Sequence, residues 1–274
     1  MVEHWSGKTC SGLMQETEKA CENLLESAKD NEILKNKTSL TIKAVCAIYR
    51  RLVKNVCQTN DDQDIDIIKE KIHERSQILC QHAVTSKNRI AQNAKALLRD
   101  GMTILIHGQS SVVMHTIIKA SQRGIKLNVI VTESLNFSGQ SIKKQLEESN
   151  IPTKVIQDAA VAVVMPQIDA IFVGCEAVVE NGGVINKIGT FTIALVAKTF
   201  QKPFYVFTES LKFMKEFPLR QEDALELATS GQVDIEKLLV DYTPPEYISL
   251  LFTSIGIFTP SAVCDELIEF FSGQ

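Results

Sequence analysis

Several features that would have fixed a function early are missing from this 274-residue chain. No run of 18 apolar residues free of charge occurs, so no hydropathic membrane-spanning helix is expected. The first 30 residues hold no apolar core of a secretory signal, and none is predicted. The net charge is −4 and the basic residues form no stripe, which removes electrostatic binding of nucleic acid. The seven cysteines are scattered, odd in number and without CxxC spacing. They read as reduced, mostly buried thiols of a cytoplasmic protein, with no disulfide framework and no metal site. Neither GxGxxG nor GxxxxGK[ST] is present, so neither a dinucleotide cofactor nor a P-loop phosphate site is supported.

What is present divides into two regimes. Hydrophobic residues make up 45% of the chain and charged residues 23%, with both signs interspersed, as in a globular protein of one large domain or two unequal ones. Residues 13–100 have helical periodicity almost throughout. Ile42, Val45, Tyr49, Leu52 and Val56 recur at spacings of three and four over 40–56, and Ile68, Ile72 and Leu79 do the same over 65–84. A third helix is predicted over 88–100, closed by Gly101, and QTNDDQDID (58–66) reads as a loop between helices.

From residue 102 short apolar runs alternate with helical segments: MTILIH, LNVIVT, TKVI, DAIFVG and FYVF, then a strand near 249–253. LNVIVT and DAIFVG are rich in β-branched residues with little polar alternation, as in strands buried on both faces of a parallel sheet. The expected fold is α/β: an N-terminal helical domain (1–100) followed by a Rossmann-like, doubly wound, mostly parallel sheet (101–274). A last helix opens with Thr259 as N-cap and Pro260 at its first position.

Ligands of such a sheet bind beyond the carboxyl ends of its strands. That rule selects the loops 107–111, 132–139, 174–190 and 208–213, of which the first three lead into helices able to face an anion. His107 reads either as a strand-end histidine bonded to backbone or as a ligand contact. Ser110 and Ser111 read as N-caps whatever else they do, Asn181-Gly182-Gly183 is a turn on any reading, and Glu176 is either a solvated loop carboxylate or a site residue. Lys187 has apolar neighbours that make a merely solvated lysine less natural, and it is the foremost candidate for a phosphate or partner contact.

ENGGVINKIGT (180–190), with VTES (131–134), KPFYVFTESLKF (202–213) and VDYTPPEYISLLFTSIGIFTPSAVCDEL (240–267), resembles the alpha-type regulatory subunits of translation initiation factor 2B. That family also contains methylthioribose-1-phosphate isomerase and ribose-1,5-bisphosphate isomerase. The resemblance covers roughly 65–274. The first 60 residues agree only in being helical, and the loop 218–239 is shorter than usual for the subunit.

The isomerases of this family use a cysteine in HCN[AS] and an aspartate in GADxxxxNGxxxNKIGT. Here the first motif reads His107-Gly108-Gln109-Ser110, with glycine at the cysteine position, and the second places Glu176 at the aspartate position. Cys175 lies one residue off and in the wrong motif. Glycine offers neither acid nor nucleophile, and a carboxylate displaced by about 1 Å can cost roughly a hundredfold in rate.

The resemblance therefore implies a regulatory, non-catalytic subunit of the guanine nucleotide exchange complex. It implies a homodimer formed through the α/β domain, association with the beta and delta subunits, and sensing of phosphorylated initiation factor 2 by the helical domain, whose Lys43, Arg50, Arg51 and Lys54 read either as that contact or as a solvated helix face. It also implies a retained pocket for a sugar phosphate or nucleotide, bounded by His107, Gln109, Ser110, Ser111, Glu176, Asn186 and Lys187; Phe217 reads either as a further wall or as a core aromatic. The C-terminal SLLFTSIGIFTPSAV is too apolar for an exposed tail and belongs in the fold or an interface. The rival readings are an active aldose–ketose phosphate isomerase and a small-molecule-binding protein acting alone.

Overall fold

The structure is a computed structural model that describes residues 7, 9–30, 40–60, 62–134, 138–229, 236, 238–263 and 265. Its N-terminal part is three helices: α1 (Cys10–Asp30), α2 (Leu40–Thr59) and α3 (Ile65–Asn93). Asp64 caps α3 by accepting from the amide of Asp66 at 3.0 Å. The predicted break before residue 88 is absent. The helix runs through it, tightens into a 3-10 turn over Ala94–Ala96 and ends at Leu97, short of Gly101. Gly101 instead serves the turn ahead of the first strand, with φ +81° and its amide donating to the Lys126 carbonyl at 2.8 Å.

Periodicity located α2 but not its buried sides. Val53, Val56 and Cys57 join Leu13, Ile68 and Ile72 in the core of the helical part. Leu40, Ala44 and Ile48, four apart, turn instead to the α/β part. Of the residues that recur at helical spacing, Ile42, Val45, Tyr49 and Leu52 are half-buried and Val56 is buried. The helix lies between two cores, so it has two apolar stripes rather than one.

The sheet is built from β1 (Thr103–His107), β2 (Asn128–Thr132), β3 (Thr153–Ile156), β4 (Ala170–Val173), β7 (Phe204–Thr208), β9 (Leu250–Thr253) and β10 (Ile257–Phe258). Their order is β10-β9-β7-β4-β1-β2-β3, and every pairing is parallel except β10 with β9. Along β4 every residue is buried, which explains its unbroken apolar run. One face is covered by α3, α4 (Ser111–Gln122) and α5 (Ser138–Glu147). The other is covered by α6 (Val161–Val164), α7 (Thr190–Thr199) and the start of a helix at Pro260.

A second, antiparallel sheet is formed by β5 (Ala177–Val178) and β6 (Val184–Lys187), where the sequence predicts only the loop 174–190, and by β8 (Val240–Thr243). Asn181-Gly182-Gly183 makes the turn between β5 and β6, with Gly182 at φ +83°. A Cβ on Gly182 would stand 2.0 Å from the Pro260 carbonyl oxygen, so the C-terminal helix begins directly on this turn. Helix α8 (Gln221–Thr229) packs against the second sheet. Cys264 and parts of the loops 132–139 and 218–239 lie outside the described residues.

Candidate functional site

A cleft of about 880 Å³ opens at the carboxyl ends of β1, β2 and β4, where a doubly wound sheet places its ligand crevice. His107, Gln109, Ser110, Ser111, Glu176, Asn186 and Lys187 all reach its walls. Phe217 does not: it stands on the surface, 58% exposed.

His107 ends β1 and is 1% exposed. Burial lowers its pKa, which favours a neutral ring. Nε2 lies 2.9 Å from the Ile188 carbonyl, which can only accept, so Nε2 carries the proton. Nδ1 then accepts from the Thr132 hydroxyl at 2.6 Å. Both nitrogens are thus spent on protein partners, as in the strand-end alternative, and the ring braces the loop ends of β1, β2 and β6.

Gly108 follows at φ +70°, and a Cβ there would stand 3.2 Å from Lys187 Cγ. A side chain at this position would strain the backbone and press on Lys187. Gln109 is exposed at the mouth. Ser110 caps α4 by accepting from the Val113 amide at 3.4 Å. It fits because residue 174 is glycine: a Cβ on Gly174 would stand 2.4 Å from the Ser110 hydroxyl.

Across the cleft Lys187 Nζ lies 3.4 Å from Glu176 Oε1, each side chain about one-fifth exposed. The backbone of Glu176 is tied at both ends: its amide donates to the Ile185 carbonyl, and its carbonyl accepts from Thr41 of α2 at 3.1 Å. The amide group of Asn186, 6% exposed, donates to the Thr190 hydroxyl at 3.0 Å. Lys212, which residue-by-residue reading passes over, supplies a second ammonium in the cleft and donates to the Cys175 carbonyl at 2.8 Å. The Cys175 thiol donates to Thr208 and is pushed up to about 11 by burial, which keeps it from acting as a nucleophile.

The helix N-termini that follow β1 and β6 differ, and only that of α4 lines the cleft. At α7 the expected anion contact is already filled. Asp241 of β8 is 6% exposed, and its Oδ2 accepts from the amides of Gly189 at 2.7 Å and Phe191 at 3.0 Å. Burial raises this carboxyl to about 7 against the pull of those amides. Its other oxygen, Oδ1, is buried with no hydrogen-bond partner. Among the described residues the N-terminus of α4 has no such carboxylate. Its nearest side-chain acceptor is Ser110, and its charged neighbours in the cleft are Lys187, Lys212 and Glu176. The arrangement can hold an anion beside two lysines. Among the described residues no cluster of three His, Cys, Asp or Glu could hold a metal.

A second hollow, about 620 Å³, lies between α1 and α2 and is lined by Arg50, Arg51, Lys54 and Lys215. Arg50 pairs with Glu18. Lys43 is turned away from it and donates to the Leu227 carbonyl at 2.7 Å.

Comparison with known proteins matches residues 11–260 to the initiation factor 2 subunit family, well into the helical part that the sequence motifs do not reach. Translation initiation factor eIF2B subunit alpha of Dictyostelium discoideum is 39% identical over 99% of this chain and 88% of its own. The ribose 1,5-bisphosphate isomerase of Archaeoglobus fulgidus is 31% identical over 72% of this chain and 67% of its own. Among solved structures, the tetrameric eIF2B-beta2-delta2 complex from C. thermophilum shares the fold, with a TM-score of 0.79 and 19% identity over 98% of this chain and 84% of that one.

Proposed function

The chain belongs to the initiation factor 2 subunit family, and from that premise we propose that it is the regulatory alpha-type subunit of the translation initiation factor 2B exchange complex. The observation that carries this reading is the near full-length similarity to the Dictyostelium discoideum alpha subunit, joined to a cleft that keeps anion contacts without the isomerase motif's cysteine. Position 108 is a glycine in left-handed backbone where the isomerase motif has its cysteine, and Glu176 is held by Lys187. The protein is therefore a pseudoenzyme in the cytoplasm. Its cleft takes a sugar phosphate or nucleotide, with the phosphate between the α4 N-terminus, Lys187 and Lys212. The chain forms a homodimer, joins beta and delta subunits, and meets phosphorylated initiation factor 2 through the basic hollow of α1 and α2, where Arg50, Arg51 and Lys54 suit a phosphorylated segment.

The test is affinity purification of the tagged full chain from native cytosol, with mass spectrometry of what co-purifies. Beta- and delta-type subunits in stoichiometric yield are expected; their absence would overturn the assignment. The relation to ribose 1,5-bisphosphate isomerase keeps one rival alive. Turnover of ribose 1,5-bisphosphate that disappears in Glu176→Gln would establish it.

A further inference from the structure

The charge of this chain is unevenly placed. Residues 75–132, which run from α3 through α4 to β2, hold eight Lys and Arg against one acidic residue, Asp100. The rest of the chain holds 21 against 32. The excess is spread thinly along the sequence, but the fold gathers part of it, because α3 packs along α4. Two rungs join the helices: His115 Nε2 lies 2.8 Å from Asn88 Oδ1, and the Arg123 guanidinium donates to Gln92 Oε1 at 2.9 Å. Lys119 falls between the rungs on α4, one turn from each, and Lys95 falls one turn beyond Gln92 on α3. Lys87 stands at the other end, near His115: burial first, and then the charges of Lys119 and Lys87, lower the pKa of that ring.

The seam therefore carries Lys87, Lys95, Lys119 and Arg123. Among the described residues none of the four forms an ion pair with a carboxylate. Lys119 and Arg123, four apart on one helix, repel each other. Helix α5, on the same face of the sheet, shows the usual remedy, with Lys143 Nζ 3.7 Å from Glu147 Oε1.

We propose that the α3–α4 seam docks an acidic segment of a partner protein, a helix with Asp or Glu at every fourth position. The inference goes beyond the ligand and partner readings above and does not depend on them. Lys119 and Arg123 lie about 6 Å apart along α4, and Lys87 and Lys95 about 12 Å apart along α3. Those are the first two multiples of the spacing that such a helix gives its carboxylates. Complementary charge of this kind steers docking and fixes its register. The occupant is a protein rather than a single-stranded nucleic acid, because residues 75–132 contain no Phe, Tyr or Trp on which a base could stack.

The test is fluorescence anisotropy of the full chain with a labelled peptide of about 16 residues, alanine with glutamate at every fourth position. It is run at about 50 mM salt, where exposed charges still act over more than about 10 Å. Wild type is expected to bind the peptide, and Lys119→Glu should weaken binding by about tenfold. That variant should melt no lower than wild type, since it replaces a like-charge pair with Arg123 by an opposite-charge one. The loss is then not one of folding. Lys144→Glu, on an exposed residue of α5, should bind as wild type does. A peptide of the same composition with its glutamates bunched at one end should bind more weakly. No binding by wild type, no loss in Lys119→Glu, or an equal loss in Lys144→Glu overturns the seam. Equal binding of the two peptides overturns the helical spacing. An oligouridylate of matching charge that binds more tightly than the peptide, and loses its hold in Lys119→Glu, overturns the choice of a protein in favour of nucleic acid.

Discussion

Helices α4 and α7 follow β1 and β6, two strands whose ends line the cleft, and they answer the same shortage in different ways. Each has first-turn amides with no intrahelical acceptor. At α7 a carboxylate from β8 fills the gap from inside the protein, through two bonds at 2.7 and 3.0 Å. At α4 the side-chain acceptor is a serine hydroxyl at 3.4 Å, and the cleft lies in front. A helix N-terminus at a strand end is therefore an anion site only if no other strand has supplied the anion. Of the strand-end loops expected to face an anion, the difference leaves 107–111 with the free helix N-terminus for the proposed phosphate, with Lys187 and Lys212 as its cations.

The largest expected effect sharpens the α7 side. The Asp241 carboxyl stands at about 7 when folded, against 3.8 as its ordinary value. The native state therefore binds its proton more tightly than the unfolded chain does. Stability from this group is full below about pH 4, falls as pH rises through the window to about 7, and is level above it. The swing over the whole window should be on the order of 4 kcal/mol. Urea unfolding at pH 5 and pH 7.5 should show Asp241→Asn gaining on wild type at the higher pH. A constant difference between the two would mean that the carboxyl stays ionised throughout.

At pH 5.5, where Asp241 is protonated and still accepts both amides, Asp241→Ala should cost about 2 kcal/mol, whereas Ser110→Ala should cost nearer 0.5 kcal/mol. Equal costs would erase the distinction between the two ends. Gly108→Cys, next to α4, should cost about 1–2 kcal/mol because its backbone is left-handed, and it should bring no isomerase turnover. Turnover in that variant would show that the cleft lost only one atom group and not its geometry. Lys187→Ala should change stability least, by about 0.5 kcal/mol or less for a part-exposed pair. It should nevertheless reduce a rise of a few degrees in melting temperature caused by a pentose phosphate, measured against free pentose and sulfate. No phosphate-dependent rise in wild type would place the ligand elsewhere.

Much of this was legible in the sequence because it is local. The alternation of apolar runs and helical segments, the loops at strand ends and the Asn-Gly-Gly turn each depend on a few neighbouring residues. The second sheet was not legible. β5 has two residues and β6 has four, too short for periodicity to separate strand from loop. Nor was the state of each site residue. His107 takes its partners from 25 and 81 positions away, and the α7 amides take theirs from about 50. Asp241 sits in a motif that resembles the family, yet nothing in VDYT says which helix it faces. Lys212 lay in a loop already selected, and the convergence of its ammonium on the Cys175 carbonyl exists only in three dimensions.

Helix α2 bears on how the molecule comes apart. Its Leu40, Ala44 and Ile48 stripe belongs to the cores of the α/β part, while Val53, Val56 and Cys57 belong to the core of the helical part. Neither core can open without exposing apolar surface that the other holds, so the chain should unfold in one calorimetric transition whose van't Hoff enthalpy matches the measured heat. The amides in the middle of α2 should exchange with deuterium only through that global event.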